Sequence, residues 1–223
     1  MTEKSGKGSS RGVTVRVKTA RKRTNSSSRW LQRQLNDPYV VRAKKDGYRS
    51  RAAYKLIELD EKFTFLKPGK KIVDLGAAPG GWAQVAVEKC GEDHVVGIDL
   101  LEIPPLPGAK FLQMDFMDDA APDALKSLMG RADIVLSDMA PNASGQKDLD
   151  HTRIVILVEA AFEFAIEVLK PGGVFVAKVW QGGTENTLLA RMKQHFTSVR
   201  HAKPAASRKD SAETFVVAMG FKS

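Results

Sequence analysis

The stretch "VDLGAAPGGW", residues 73–82, places an acid inside an apolar run and then three glycines and a proline within six residues. Such a stretch leaves a buried strand and turns into a helix with its backbone bare, so a ligand or a neighbouring element can come against the main chain. Acids close the apolar runs that follow: Asp99, then Asp115, then Asp138. Asp99 lies 19 residues beyond Gly80, close to the ~20-residue interval at which a carboxylate reaches a ribose hydroxyl pair. A dinucleotide turn needs G-x-G-x-x-G to hold a pyrophosphate, but Ala78 stands where its second glycine belongs. A ribose-bearing cofactor without phosphates fits better, which points to S-adenosylmethionine with its methionine end and ribose against residues 76–81. Trp82 reads either as a cofactor contact or as packing at the start of a helix.

Lys178 falls inside the apolar run "VFVAKVW". A lysine in a strand interior is costly unless its charge is paired. The alternatives for it are an edge position or a snorkelling side chain.

Seven apolar runs supply the strands that must position these groups: 71–76, 94–100, 110–116, 133–139, 173–180, 198–204 and 214–220. Helical spacing appears over 50–63, with Ser50 as N-cap and "LKPG" (66–69) as the stop, and over 153–170. Glu159, Glu163 and Glu167 form an i, i+4, i+8 stripe on the second of these, read as its solvated face. Strands alternating with helices predict a parallel sheet covered on both faces. The last two strands are joined by a connection too short for a helical crossover, so they pair antiparallel. The expected fold is α/β, with a mixed seven-stranded, Rossmann-like sheet.

The charge is divided along the chain. Of 35 basic and 26 acidic residues, residues 1–55 hold 16 and 3, leaving 19 and 23 for the rest. Residues 1–28, rich in Ser, Gly, Lys and Arg, read as a disordered basic arm, and residues 29–223 as one folded domain. A basic arm on a mildly acidic globule points to a polyanion, most simply RNA. A solubilising tail is the alternative, and the alternation in "GVTVRVKTARKR" speaks against an amphipathic transit peptide. Cys90 alone excludes an intrachain disulfide, and four scattered histidines give no metal-ligand spacing. No run reaches the ~18 apolar residues of a membrane span. The expectation is a soluble cytoplasmic protein without metal, with a monomer as the default.

The motifs "RSRAAYKL", "DLGAAPGGW", "SDMAPNASG", "VAKVWQG" and "SRKDSAETFVVA" resemble, in order, those of the FtsJ/RrmJ (RlmE) family of ribosomal RNA large-subunit methyltransferases. The resemblance runs from about Ser27 to the C-terminus. It implies the class I S-adenosylmethionine-dependent methyltransferase fold, and 2′-O-methylation of a uridine in the A-loop of 23S rRNA on the large (50S) ribosomal subunit. It further implies a catalytic tetrad at Lys55, Asp138, Lys178 and Glu213, and cofactor contacts at Gly80, Trp82, Asp99, Asp115 and Asp138. The glycine turn adds Gly76 to these.

The chemistry is consistent with that assignment. A ribose hydroxyl is a poor nucleophile and needs a base or a cation to lose its proton. The methyl donor is already activated, so the protein chiefly aligns oxygen, methyl and sulfur. Whether Lys178 accepts the proton or steers the hydroxyl as a cation stays open at this point. A base-directed methyltransferase is disfavoured, because "SDMAPNASG" offers no aromatic to stack a flipped base. A tRNA or cap ribose methyltransferase, or a ribosome-assembly factor acting by RNA binding, are the remaining alternatives.

The arm, "RWLQRQ", "VRAKKDGYRSR" and the loop around Arg208 and Lys209 supply the candidate phosphate contacts. RNA affinity is therefore expected to fall more steeply with salt for the full chain than for a chain lacking residues 1–28. Filter binding across a salt series checks this, and equal slopes would contradict it.

Overall fold

A computed structural model of the chain describes residue 32 and residues 34–141, 144–180 and 186–223. The expected basic arm, residues 1–28, lies outside them. Helices α1 (Pro38–Asp46) and α2 (Ala52–Phe63) precede β1 (Ile72–Leu75), α3 (Gly81–Cys90), β2 (Val95–Asp99) and β3 (Ala109–Gln113). There follow α4 (Ala121–Met129), β4 (Ala132–Ser137), α5 (Lys147–Val168), β5 (Leu169–Trp180), α6 (Asn186–His195), β6 (Phe196–Ala202) and β7 (Glu213–Phe221).

The strands form one sheet in the order β3-β2-β1-β4-β5-β7-β6. The pairs from β3 to β5 are parallel, and β7 runs antiparallel to both its neighbours. All seven predicted strands are present, as is the antiparallel pairing of the last two. The short, uniformly apolar β1 is buried along its whole length, as expected of a central parallel strand with helices on both faces. One face packs on α4, α5 and α6 through residues such as Leu125, Phe162 and Met192. The other packs on α2 and α3 through Leu56, Leu59, Trp82 and Val85. Strand order reverses between β1 and β4, so the carboxyl ends of β1, β2 and β4 open a crevice there.

Local expectations are corrected in three places. Ser50 does not cap α2: Arg51 holds the N-cap position without a side-chain bond, and Ser50 Oγ occupies the space a Cβ on Gly81 would fill. The same helix stops before "LKPG". Thr64 takes a left-handed conformation (φ 55°), and the buried Asp60 carboxylate accepts the N–H groups of Phe65 (3.0 Å) and Leu66 (2.8 Å). Helix α5 begins at Lys147, six residues earlier than its apolar period, after a turn in which Ser144 N–H and Oγ both bond Asp150 Oδ1 (2.8 and 2.7 Å). Its acidic stripe is exposed at Glu163 and Glu167, which pair with Arg191 (2.5 Å) and Lys126 (2.6 Å), while Glu159 is half-buried.

At the amino ends of the strands, Asp133 binds Lys70 Nζ (2.9 Å), Lys170 Nζ (3.0 Å) and the Lys71 N–H (3.0 Å). Burial acts to raise its pKa, but the Lys71 N–H and the two ammonium groups outweigh burial and hold the carboxyl down at about 2. A depressed carboxyl contributes stability above its unfolded pKa near 4, and loses it as pH falls through the folded value. Asp133→Asn is expected to lower stability by about 1–2 kcal/mol at pH 7, since both lysines are partly screened by solvent. In urea melts this difference should vanish as pH falls from 4 to 2; a constant difference across that range would contradict the assignment.

Candidate active site

The crevice holds a cavity of about 560 Å³, within the usual range for a small-molecule site. Gly76, Asp99, Asp115 and Asp138 line it together with apolar groups that include Leu101, Phe116, Met139 and Ile156. Backbone bonds join the strand ends that carry the acids: Gly76 N–H to Ile98 O (2.9 Å), Met114 N–H to Asp99 O (3.0 Å) and Asp138 N–H to Leu75 O (3.1 Å). Asp99 is held in place by the N–H groups of Ala78 and Leu101 (both 2.9 Å), and Asp115 by that of Met117 (2.9 Å).

Among the described residues the lining has three carboxylates and a single cation, Arg153. These acceptors suit a ligand carrying positive charge and hydroxyls, and would repel a pyrophosphate. Both oxygens of Asp74, which is fully buried on β1, lack a hydrogen-bond partner among the described residues. Burial first, and then the charges of Asp138 and Asp99, push its pKa up to about 8, so it is a neutral acid at pH 7. The acids that line the cavity, Asp99, Asp115 and Asp138, are what fit a cofactor with cationic and hydroxyl groups.

The glycines serve protein packing first. A Cβ on Gly76 (φ 78°) would stand 2.9 Å from Met139 N and Cγ, so the segment after β4 can close on the β1 turn only because Gly76 is bare. Gly80 and Trp82, both expected cofactor contacts, do not line the cavity. Gly80 packs under the Arg49 side chain. Trp82 is 3% exposed, donates its indole N–H to Ala52 O (2.8 Å) and packs on Phe215. Its side chain is core.

The four expected catalytic residues come together from four elements. Lys55 of α2 contacts Glu213 Oε2 at 2.8 Å and Asp138 Oδ2 at 3.7 Å. Lys178 of β5 contacts Asp138 Oδ1 at 3.1 Å and donates to the Asp138 carbonyl at 2.5 Å. Side-chain exposures are 12% for Lys55, 10% for Lys178, 17% for Asp138 and 16% for Glu213. The Lys178 reading as an edge or snorkelling residue is thus replaced by a paired, nearly buried cation. Two cations and two anions balance, as partial burial of charge demands. Asp138 alone of the four also lines the cavity.

A contributor that sequence reasoning missed is Ser207, buried, whose hydroxyl donates to Glu213 Oε1 (2.7 Å). Its position in "SRKDSAETF" beside Glu213 was the available signal. Several basic residues read as phosphate contacts have protein partners. Arg49 bonds the carbonyls of Pro79 (3.2 Å), Pro104 (2.6 Å) and Pro105 (2.6 Å), and Arg51 binds Asp37 and the Ala206 carbonyl. Lys44 and Lys45 on α1 stay exposed.

Residues 48–221 match the model of the FtsJ-like methyltransferase family. The chain is 64% identical over 222 residues to a protein of Paramagnetospirillum magneticum named "Ribosomal RNA large subunit methyltransferase E", covering 96% of this chain and 91% of that one. It is 58% identical over 224 residues to a protein of the same name from Sphingopyxis alaskensis, covering 100% and 97%. Among solved structures, a ribosomal RNA methyltransferase of Plasmodium falciparum superposes with a TM-score of 0.68 at 35% identity, over 78% of this chain and 98% of that one. Taken with the sheet order and the acid-lined crevice, the match places this chain in the FtsJ-like methyltransferase family.

Proposed function

We propose that this chain transfers a methyl group from S-adenosylmethionine to a ribose 2′-hydroxyl of large-subunit ribosomal RNA, the target being a uridine of the 23S A-loop on the 50S particle. The observation that carries this reading is the Lys55–Asp138–Lys178–Glu213 cluster set against the wall of the cofactor cavity through Asp138. The names of the relatives supply the RNA class. Residues 1–28 act as a phosphate-binding arm and residues 29–223 as the methyltransferase domain.

When bound, the cofactor supplies an electrophilic methyl on a sulfonium. Asp99 and Asp115 hold its hydroxyl and amine donors, and the apolar walls exclude water from the transfer path. Lys178 donates one N–H to the Asp138 carbonyl and stands 3.1 Å from Asp138 Oδ1 as an ion pair, which leaves N–H groups for the incoming hydroxyl. Lys55 is fixed by Glu213, which Ser207 fixes in turn. In the transfer the ribose oxygen would bond the methyl carbon as the carbon–sulfur bond breaks. Its proton would pass to the Asp138 carboxylate, whose Oδ1 accepts no hydrogen bond among the described residues, and the lysine ammonium groups would stabilise the charge developing on the oxygen. This favours the orienting role for Lys178 over that of a neutral base, because a two-acceptor environment suits an ammonium.

The test incubates the protein with labelled S-adenosylmethionine and unmodified large subunits, with free 23S rRNA and tRNA in parallel and nucleosides resolved by mass spectrometry. 2′-O-methyluridine from the subunit is expected. Lys178→Ala is expected to cut turnover by about 10²–10⁴-fold while calorimetry finds cofactor affinity within about twofold of wild type. Methylation of tRNA alone would overturn the substrate, and loss of cofactor binding by the variant would move Lys178 from catalysis to binding.

A further inference from the structure

We infer that Trp180, stacked with His151, is the wall against which the base of the target nucleotide stacks; the inference rests on the ribose methylation proposed above. Asp138 is the one tetrad member that reaches the cofactor cavity, so the substrate ribose has to enter from the side of Lys178 and Glu213. The carbon bearing the base adjoins the carbon bearing the 2′-hydroxyl, and the base must therefore lie immediately beside that pair.

Trp180 is the aromatic next to this place along β5. It follows Lys178 by two residues at the carboxyl end of β5, and it is the register partner of Glu213 across the antiparallel pair. Its ring is half-buried and lies nearly parallel to His151, with an interplanar angle of 22° and centroids 6.4 Å apart. His151 lies near the start of α5. It follows Asp150, which binds Ser144 in the segment that continues from Asp138. The ring pair thus joins β5, which carries Lys178, to α5, the helix that follows the segment after Asp138. The segment after β4 has no aromatic of its own, and β5 provides one instead.

Single-stranded RNA is commonly held by stacking bases on such rings, which tolerates any base and fixes position rather than identity. The stacking contribution corresponds to about a 5- to 150-fold effect on RNA affinity.

The experiment measures methyl transfer to large subunits by the full chain and its Trp180→Ala, Trp180→Phe and His151→Ala variants, together with calorimetric cofactor binding. Trp180→Ala is expected to raise KM for the subunit by about 5- to 150-fold with cofactor affinity unchanged. Trp180→Phe should recover most of that loss, and His151→Ala should show a smaller rise. An unchanged KM in Trp180→Ala overturns the wall while leaving the reaction intact. A parallel loss of cofactor affinity and thermal stability assigns Trp180 to packing and overturns it as well. No transfer by the wild-type chain to any RNA overturns the reaction, and the wall with it.

Discussion

The Asp138 carboxylate stands between two lysines on one side and the acid-lined cavity on the other. Holding it there requires β4 to end beside β1, the Asp138 N–H to bond Leu75 O, and Gly76 to lack a side chain so that Met139 can close down. Charges this little exposed are stable only as a set. Removing one partner from a buried pair leaves the other uncompensated, at a cost of about 3–5 kcal/mol. Lys55, Lys178 and Glu213 therefore depend on Asp138 for position as much as on their own helices and strands. The balanced cluster also explains how a strand as apolar as β5 accommodates Lys178.

Two further acids sit at opposite ends of the sheet with opposite electrostatics. Asp133, at the amino ends, is surrounded by donors and stays ionised well into acid. Asp74, buried near the carboxyl ends, has no donor among the described residues and is driven neutral by burial and by its acidic neighbours. The first ties β4 to β5 and to the residues that lead into β1. The second is an unsatisfied buried acid close to Asp99 and Asp138, two of the acids that line the cavity.

Much of this was legible in the sequence, for identifiable reasons. The central strands β1, β2 and β4 were short apolar runs, the signature that parallel strands buried on both faces leave. The identities of the tetrad came through motif resemblance. Its geometry did not, because Lys55 and Glu213 meet across 158 residues and no local spacing encodes that contact. Ser50 looked like an N-cap but is committed to the Gly81 contact. Trp82 looked like a cofactor contact but its indole completes the core under α2. Arg49 and Arg51 looked like phosphate ligands, yet carbonyls and Asp37 hold them, since nothing local separates an arginine facing solvent from one facing a loop. The same ambiguity hid the Trp180–His151 pair, whose members belong to different elements.

The most direct test of this account is to measure cofactor affinity and methyl transfer together in Asp138→Asn, which keeps the size of the side chain and removes its charge. If Asp138 links the cavity to the tetrad, affinity should fall at least about tenfold, equivalent to ~1.4 kcal/mol, and transfer to the large subunit should be lost. A variant that binds the cofactor normally and methylates at the wild-type rate would contradict it.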